Sequence, residues 1–188
     1  MPLTRLAHHL ITQHFAPLEC QRLQALDATC GNGFDTVFLT SLGFGKILAF
    51  DVQQYAILST RTRLETTVHK TNLAAVKLIH QGHETIEQHI TQPIDCAIFN
   101  LGYLPKADNK ITTHAETTLT ALNATLAALA PQGMITILCY PGHATGAHET
   151  RAVKTWLSGL ASQWHVETYL SQSPNSDTPI LYCVKQDR

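Results

Sequence analysis

The chain has 188 residues, of which 44% are hydrophobic and 14% charged, and its formal net charge is −1. This length and apolar content suit one domain with a sizeable core, which we expect to span residues 1–188. The balanced charge excludes a broad basic surface for nucleic acid and leaves only a local patch of Lys106, Lys110, Arg151 and Lys154. No apolar stretch reaches about 18 residues, so the sequence predicts no transmembrane helix and no membrane partner.

The chain begins with a segment whose apolar residues follow a helical spacing. In "MPLTRLAHHLITQHFAPL" these residues are Leu3, Leu6, Leu10 and Ile11. The segment lacks the continuous apolar core and small-residue cleavage site of a signal peptide. We therefore predict an amphipathic helix at this end of the chain.

Strands and helices then alternate along the sequence. Five apolar runs predict strands in "LQALDA", "KILAFDV", "AAVKLIHQ", "IDCAIFNLG" and "GMITILCYPG", with helical segments between and after them. Two final strands, "HVETYLS" and "PILYCVK", are joined by the turn-rich "QSPNSDT", which is too short for a crossover helix. The pattern predicts an α/β, Rossmann-like fold: a seven-stranded, mostly parallel sheet with a C-terminal antiparallel hairpin.

The five cysteines argue for a reducing environment. Their number is odd and they form no C-x-x-C pair, which makes a disulfide framework or a zinc cage a poor interpretation. Cys96, Cys139 and Cys183 lie in apolar runs and are expected to pack as small hydrophobic residues. We predict a cytoplasmic protein without a metal site.

A glycine loop follows the first strand, in "LDATCGNGFDT". Gly31 and Gly33 allow a sharp turn and a close approach by a ligand, and the next helix presents free N–H groups. Thr36 stands where a dinucleotide-binding loop would have its third glycine, which argues against a pyrophosphate site. A plain turn between strand and helix is the alternative interpretation.

An acidic residue at the end of the second strand completes a nucleoside site. Asp51 lies 20 residues after Gly31, where a carboxylate can accept hydrogen bonds from ribose hydroxyls. Ribose recognition without a pyrophosphate motif favours S-adenosylmethionine. We therefore expect cofactor-binding roles for two further sets of residues. Around the first two strands they are Asp27, Asn32, Asp35 and Gln53, and after the third strand they are Gln81, Gly82 and His83. Stabilisation of the helix dipole is the alternative role for Asp35.

The fourth and fifth strands supply the residues expected to face the substrate. "FNLGYLP" ends the fourth strand at the carboxyl edge and is similar to the Asn-Pro-Pro-Tyr motif of amino-group methyltransferases. That resemblance implies that Asn100 and the Leu101 carbonyl accept hydrogen bonds from a target nitrogen, and that Tyr103 packs on it. "CYPGH" ends the fifth strand at the same edge, where Tyr140 and His143 are expected to line the acceptor pocket, with a plain Pro-Gly turn as the alternative. Tyr103 and His143 are the candidates for a general base if one is needed.

Five segments in order, "DATCGNGFDT", "AFDVQ", "NLGYLP", "ITT" and "YPGH", together resemble one family of class I methyltransferases, the MnmM type, once labelled rRNA methylases. The resemblance covers nearly the whole chain. It implies N-methylation of the aminomethyl group of 5-aminomethyl-2-thiouridine at the tRNA wobble position, with the tRNA anticodon region as partner. One departure is Lys106-Ala107 in place of the family's Gly-Gly after "NLGYLP".

Other functions remain open from the sequence. A methyltransferase acting on rRNA or on a small-molecule amine would use the same motifs, and a non-enzymatic nucleoside-binding module would need only the glycine loop. A nicotinamide dehydrogenase would want the third glycine. A metal hydrolase is suggested only by the 11 histidines, without an H-E-x-x-H motif. The sequence also leaves open whether the protein forms a homodimer.

Overall fold

The structure is a computed structural model that describes residues 1–102, 112–171 and 175–186. Its strands are β1 Gln24–Asp27, β2 Lys46–Phe50, β3 Val76–Ile79, β4 Ile94–Asn100, β5 Leu129–Cys139, β6 Trp164–Leu170 and β7 Ile180–Gln186. Its helices are α1 Leu3–Phe15, α2 Phe34–Ser41, α3 Gln54–Thr67, α4 Lys70–Leu73, α5 Ala115–Ala127 and α6 Ala144–Ser158, with 3₁₀ segments Cys20–Arg22 and His83–His89. The elements predicted from the sequence are all present.

The seven strands form one sheet in the order β3-β2-β1-β4-β5-β7-β6. β1 to β5 pair in parallel, whereas β7 runs antiparallel to both β5 and β6. The predicted fold class, including the C-terminal hairpin, is therefore confirmed. The strand order reverses between β1 and β4, and in open α/β sheets ligands bind beyond the carboxyl ends of the strands at such a switch point.

Helices cover both faces of the sheet, and the strand residues alternate between two cores. Leu26 and Phe99 point to the face covered by α5 and α6, whereas Ala25 and Ile98 point to the face covered by α1 and α2. Both faces are thus buried, which is why these strands read as continuous apolar runs rather than alternating ones. The predicted burial of Cys96, Cys139 and Cys183 is confirmed.

One strand begins earlier than the sequence predicts. β5 starts at Leu129 rather than at Gly133, and Ile94 of β4 pairs with Leu129 before the register shifts at Cys96. Pro131 and Gly133 look like strand breakers in the sequence. The irregularity in the ladder accommodates them without ending the strand.

Membrane-spanning helices and metal-ligand clusters are both absent from the part of the chain that the structure describes. None of its helices is long and apolar enough to cross a membrane. No cluster of three or more His, Cys, Asp or Glu side chains within it could hold a metal ion.

Candidate active site

A cavity of about 850 Å³ lies at the carboxyl ends of β1, β2, β4 and β5. Its walls include the glycine loop, the end of β2, the turn before the 3₁₀ segment 83–89, and the residues that follow β4 and β5. This is the position that the topology assigns to a ligand, at the switch point between β1 and β4. Its volume suits a ligand of nucleoside size or larger.

The glycine loop is shaped by two left-handed residues. Gly31 has φ 51° and Gly33 has φ 80°, in the region that favours glycine. Gly31 and Asn32 line the cavity. Gly33 packs against α3 instead: a Cβ there would lie 2.8 Å from the Cα of Thr60, whose hydroxyl donates to the Gly31 carbonyl at 3.0 Å. Gly33 therefore shapes the loop from behind.

Asp51 ties the loop to the end of β2. One of its carboxylate oxygens accepts from the Gly31 N–H at 3.0 Å and the other from the Gln53 N–H at 2.9 Å. Burial raises the pKa of this carboxyl, and these backbone donors oppose the shift. Asp51 and Gln53 both line the cavity, so the structure brings together the two ends of the predicted nucleoside site.

Asp27 occupies a different place from the one the sequence suggests. Its side chain is fully buried and is not part of the cavity wall. It accepts from the Thr36 hydroxyl at 2.6 Å and from the Thr29 N–H at 3.3 Å. Burial, and next the charge of Asp35, raise its pKa to about 8. Asp27 therefore supports the loop from beneath, and its predicted role at the cofactor stays a prediction.

The three residues predicted after β3 are separated by the fold. His83 is buried against the cavity, and burial lowers the pKa of its imidazole. Gln81 is exposed outside the cavity wall, and its side-chain oxygen lies 2.7 Å from Nε2 of His89. Gly82, predicted together with them, also lies in the wall. Of the three residues predicted to flank an adenine, Gly82 and His83 therefore line the cavity and Gln81 does not.

Asn100 reaches the cavity at the end of β4. Its backbone N–H donates to the Thr29 hydroxyl at 2.9 Å, which joins the ends of β4 and β1. Its side-chain Nδ2 donates to Asp35 at 3.3 Å. Tyr103 and the Lys106-Ala107 departure lie outside the described residues.

Tyr140 and His143 follow β5, and both line the cavity as predicted. Burial, and next the charge of Asp35, raise the pKa of Tyr140 to about 12, so the phenol stays protonated near neutral pH. His143 lines the cavity and caps α6, its Nδ1 accepting from the Gly146 N–H at 3.0 Å. In the neutral ring the proton is then on Nε2. His143 therefore caps α6 at the cavity wall, and its role as a general base stays a prediction.

The structure also assembles a polar cluster that the sequence analysis missed. Glu149 of α6 is 2% exposed and accepts from the Thr118 hydroxyl at 2.6 Å and the Thr113 hydroxyl at 2.7 Å. Thr113 in turn accepts from the Gly102 N–H at 2.8 Å, and Thr118 lies 3.4 Å from Nε2 of His83. Glu149 thus connects the residues after β4 to the wall near His83.

A sequence signal for this cluster did exist. Glu149 lies on the buried stripe of α6 with Gly146, Val153 and Leu157. A charged residue on an apolar stripe requires buried partners. Thr113 belongs to the "ITT" segment that carried part of the family resemblance.

A sheet of this order, with a glycine loop after β1 and an acidic residue after β2, defines the class I methyltransferase fold. Two solved structures share it over nearly their whole length. One is a Clostridium thermocellum protein described as a "putative rRNA-methylase", with TM-score 0.89 and 33% identity, covering 98% of this chain and 97% of that one. The other is a Streptococcus mutans "putative methyltransferase" in complex with SAH, with TM-score 0.82 and 37% identity, covering 95% and 96%.

The chain belongs to the family described as "Putative rRNA methylase", whose model matches residues 47–185. A curated relative is the Arabidopsis thaliana "tRNA (mnm(5)s(2)U34)-methyltransferase, chloroplastic", 36% identical over 149 residues. The match covers 74% of this chain and 54% of the relative, so the chain spans about half the length of that protein. The predicted family is confirmed.

Proposed function

We propose that this chain is an S-adenosylmethionine-dependent methyltransferase that methylates the aminomethyl nitrogen of 5-aminomethyl-2-thiouridine at the wobble position of tRNA. One observation carries the reaction type: a nucleoside-type site around Asp51 and an amide side chain, Asn100, line the same cavity. The name of the Arabidopsis relative supports the substrate. We also propose that residues 1–188 act as one domain.

The residues at the β1–β2 end of the cavity fit an adenosyl cofactor. Asp51 already accepts from two backbone N–H groups, and each carboxylate oxygen has a second lone pair for a ribose hydroxyl. Gly31 and Asn32 offer the close backbone approach that an amino-acid tail requires. Gly82 and His83 would flank the adenine. When bound, S-adenosylmethionine supplies an electrophilic methyl group on a sulfonium.

The residues at the β4 end would hold the substrate amine. Asn100 Oδ1 and the Leu101 carbonyl would accept its N–H groups, which aims the nitrogen lone pair away from them and towards the cofactor side. Tyr103 would pack against the base. Holding two reactants in a fixed geometry accounts for much of the acceleration that such a displacement needs.

Only a neutral amine can attack. If the amine had the pKa of lysine, about 10.4, keeping it neutral at pH 7 would cost roughly 4–5 kcal/mol. Hydrogen-bond acceptors stabilise the charged form too, so the neutral form must be favoured by burial and by the positive charge of the cofactor. Tyr140 remains protonated near neutral pH, so Tyr103, outside the described residues, and His143 stay the candidates if a base is needed.

The substrate must reach the cavity as part of an RNA. Arg151 and Lys154 are exposed one turn apart on α6, whose first residues follow the cavity residue His143. They would contact phosphates of the anticodon stem-loop, whereas Lys106 and Lys110 of the same predicted patch lie outside the described residues.

We also propose a cytoplasmic location. All five cysteine thiols fall within the described residues and are free, which is consistent with a reducing compartment.

The test is nucleoside mass spectrometry after incubating the protein with S-adenosylmethionine and tRNA that carries the unmethylated aminomethyl group. We expect one methyl group to be added to the wobble nucleoside, and none to tRNA that lacks the aminomethyl group. Methylation of rRNA or of a free amine alone would contradict the proposed substrate. Tight binding of NADH instead of SAH in a calorimeter would contradict the cofactor.

Two variants separate the halves of the site in this assay. Asp51→Ala should weaken SAH binding about 10- to 100-fold, since it removes a charged acceptor of two backbone hydrogen bonds. Asn100→Ala should leave SAH binding within a factor of about two and lower the turnover, because the contacts of Asp51 with the glycine loop stay unchanged. Equal loss of SAH binding in both variants would contradict this division.

A further inference from the structure

A chain of side-chain hydrogen bonds leads from the first helix to Asn100. His8 of α1 places Nε2 2.6 Å from Oδ1 of Asp35, and Oδ2 of the same carboxylate accepts from Nδ2 of Asn100 at 3.3 Å. The three residues come from α1, α2 and the end of β4. The hydrogen bonds therefore join His8 to a residue 27 positions away and Asn100 to one 65 positions away in sequence.

The link to Asp35 decides which end of the Asn100 amide faces the substrate. A carboxylate accepts hydrogen bonds, so only the NH₂ end of the amide can face Asp35 favourably. Because the amide is planar, its oxygen is then directed away from Asp35. Asn100 and Asp35 both line the cavity. We infer that Oδ1 is the Asn100 atom offered to an incoming N–H group, since Nδ2 is engaged by Asp35.

Asp35 is itself held in place from α1. Its side chain is 12% exposed and that of His8 is 28% exposed. The His8 ring stacks on Phe38, with centroids 3.8 Å apart and planes 4° from parallel. This stacking fixes the ring plane and hence the direction of its Nε2. His8 donates to the carboxylate whether it is neutral in the Nε2–H form or protonated.

Among the described residues, the hydrogen bonds from His8 and Asn100 are the main support of the Asp35 carboxylate. Asp27 lies beneath it on β1 and contributes a repulsive charge when ionised, and Tyr140 interacts with it from the end of β5. Neither donates a hydrogen bond to Asp35 among the described contacts. His8 and Asn100 provide the two donors that orient its two oxygens.

We propose that His8 and Asp35 are positioning residues that hold the Asn100 amide with its oxygen towards the substrate, and so select a nitrogen acceptor that carries hydrogens. This inference rests on the proposed function, because it assigns the orientation of the group that receives the amine. Reversing the amide would present NH₂ to the N–H groups of the substrate. A donor facing a donor would push the amine out of line with the methyl group.

Exchanging the donor and the acceptor between the two positions tests the orientation directly. In Asp35→Asn the amide at position 35 no longer dictates the orientation of Asn100, and in Asn100→Asp two carboxylates face each other. In the double variant Asp35→Asn/Asn100→Asp, the amide at 35 donates to the carboxylate at 100, whose second oxygen faces the amine. The pair keeps the same total charge.

The readout is the single-turnover rate of tRNA methylation at saturating S-adenosylmethionine, with SAH affinity and thermal unfolding measured for each variant. We expect each single variant to lose about 10- to 100-fold in rate and the double variant to recover most of that loss. Single variants that turn over like the wild type would overturn the proposal. So would a double variant as slow as the product of the two single effects.

His8 is tested by a matched pair. His8→Gln keeps an N–H donor for Asp35 and should retain most of the rate, whereas His8→Leu removes the donor and should lose about tenfold. Equal rates for the two variants would overturn the role of His8. If Asp35→Asn weakened SAH binding but turned over normally at saturation, Asp35 would be a cofactor ligand only and the inference would fail.

Failure of the inference is distinguishable from failure of the proposed function. If the wild-type protein methylates no wobble nucleoside, the proposed function fails before any variant is compared. If the wild type methylates it and the exchange shows no recovery, the function stands and the positioning role is wrong.

Discussion

The two ends of the cavity are built in different ways. Around the glycine loop the polar contacts run mainly between side chains and backbone groups, such as Asp51 with the N–H groups of Gly31 and Gln53. Around Asn100 the contacts run between side chains of distant elements: His8 with Asp35, and Asp35 with Asn100. The first end is set by backbone conformation and the second by tertiary side-chain geometry.

This difference separates binding from orientation. The glycine-loop end depends on whether the backbone can adopt its turn, so substitution of its glycines should be especially damaging. The Asn100 end depends on pairing of donors and acceptors, so its polar residues can be tested by exchanging them in matched pairs. Damage at the first end should appear in SAH affinity, and damage at the second in turnover or stability.

Gly33→Ala should produce the largest effect at the glycine-loop end. Its φ of 80° disfavours a side chain, and a Cβ would lie 2.8 Å from the Cα of Thr60, a backbone atom that cannot turn away. We expect a loss of roughly 3–5 kcal/mol in the free energy of unfolding and no measurable SAH binding. Urea unfolding and calorimetry measure the two quantities.

Gly43→Ala is the matched control for that variant. Gly43 has nearly the same φ, 83°, but a Cβ there would meet nothing within 4 Å. It should cost only about 1 kcal/mol and leave SAH affinity unchanged. Equal costs for the two variants would mean that the backbone angle, and not the contact with α3, limits the loop.

At the Asn100 end of the cavity, Glu149→Leu should cause the largest loss in the free energy of unfolding. It leaves the Thr113 and Thr118 hydroxyls without their buried acceptor, and we expect a loss of about 2–4 kcal/mol in the free energy of unfolding. Glu149→Gln keeps one acceptor oxygen and should cost about 1 kcal/mol. Urea unfolding distinguishes them, with the exposed Glu116→Gln as the control expected to change little. A Leu variant as stable as the wild type would show that the cluster contributes nothing to stability.

Asp27→Asn should change the pH dependence of stability. The folded protein keeps the Asp27 proton up to a pKa of about 8, whereas the unfolded chain loses it near pH 4, so folding takes up a proton between these values. The contribution of Asp27 to stability is therefore complete below pH 4 and is lost as the pH rises towards and through 8. From pH 6 to 8 the wild type should lose more stability than the Asn variant. Parallel urea-unfolding curves over this range would contradict the raised pKa.

Gln81→Ala should have the smallest effect. Gln81 is exposed and does not line the cavity, so SAH affinity should change by less than about twofold. His83→Ala is the contrasting variant, because His83 is buried in the wall of the cavity. If Gln81→Ala weakened SAH binding as strongly as His83→Ala, the sequence-based expectation for Gln81 would be restored.

Particular residues show where sequence reasoning succeeds and where it stops. Gly31, Asp51 and Asn100 follow the ends of strands, so the sheet topology alone was enough to predict that they meet. Asp27 also ends a strand, yet its side chain is fully buried beneath the loop, where it accepts hydrogen bonds from Thr36 and Thr29. The position of His8 beside Asp35 depends on how α1 packs against α2, which no local pattern specifies.

The order of strands and helices, the burial of the central strands and the edge of the sheet at which a ligand site forms could all be predicted from the amino-acid pattern. Those properties follow from apolar periodicity and from the short-range preferences of glycine and turn residues. The support of Asp35 by His8, the buried partners of Glu149 and the position of Gln81 outside the cavity wall became visible only in the folded chain. Such contacts depend on rotations and separations of whole elements, and a shift of a few ångströms in helix packing would break them without altering any local pattern.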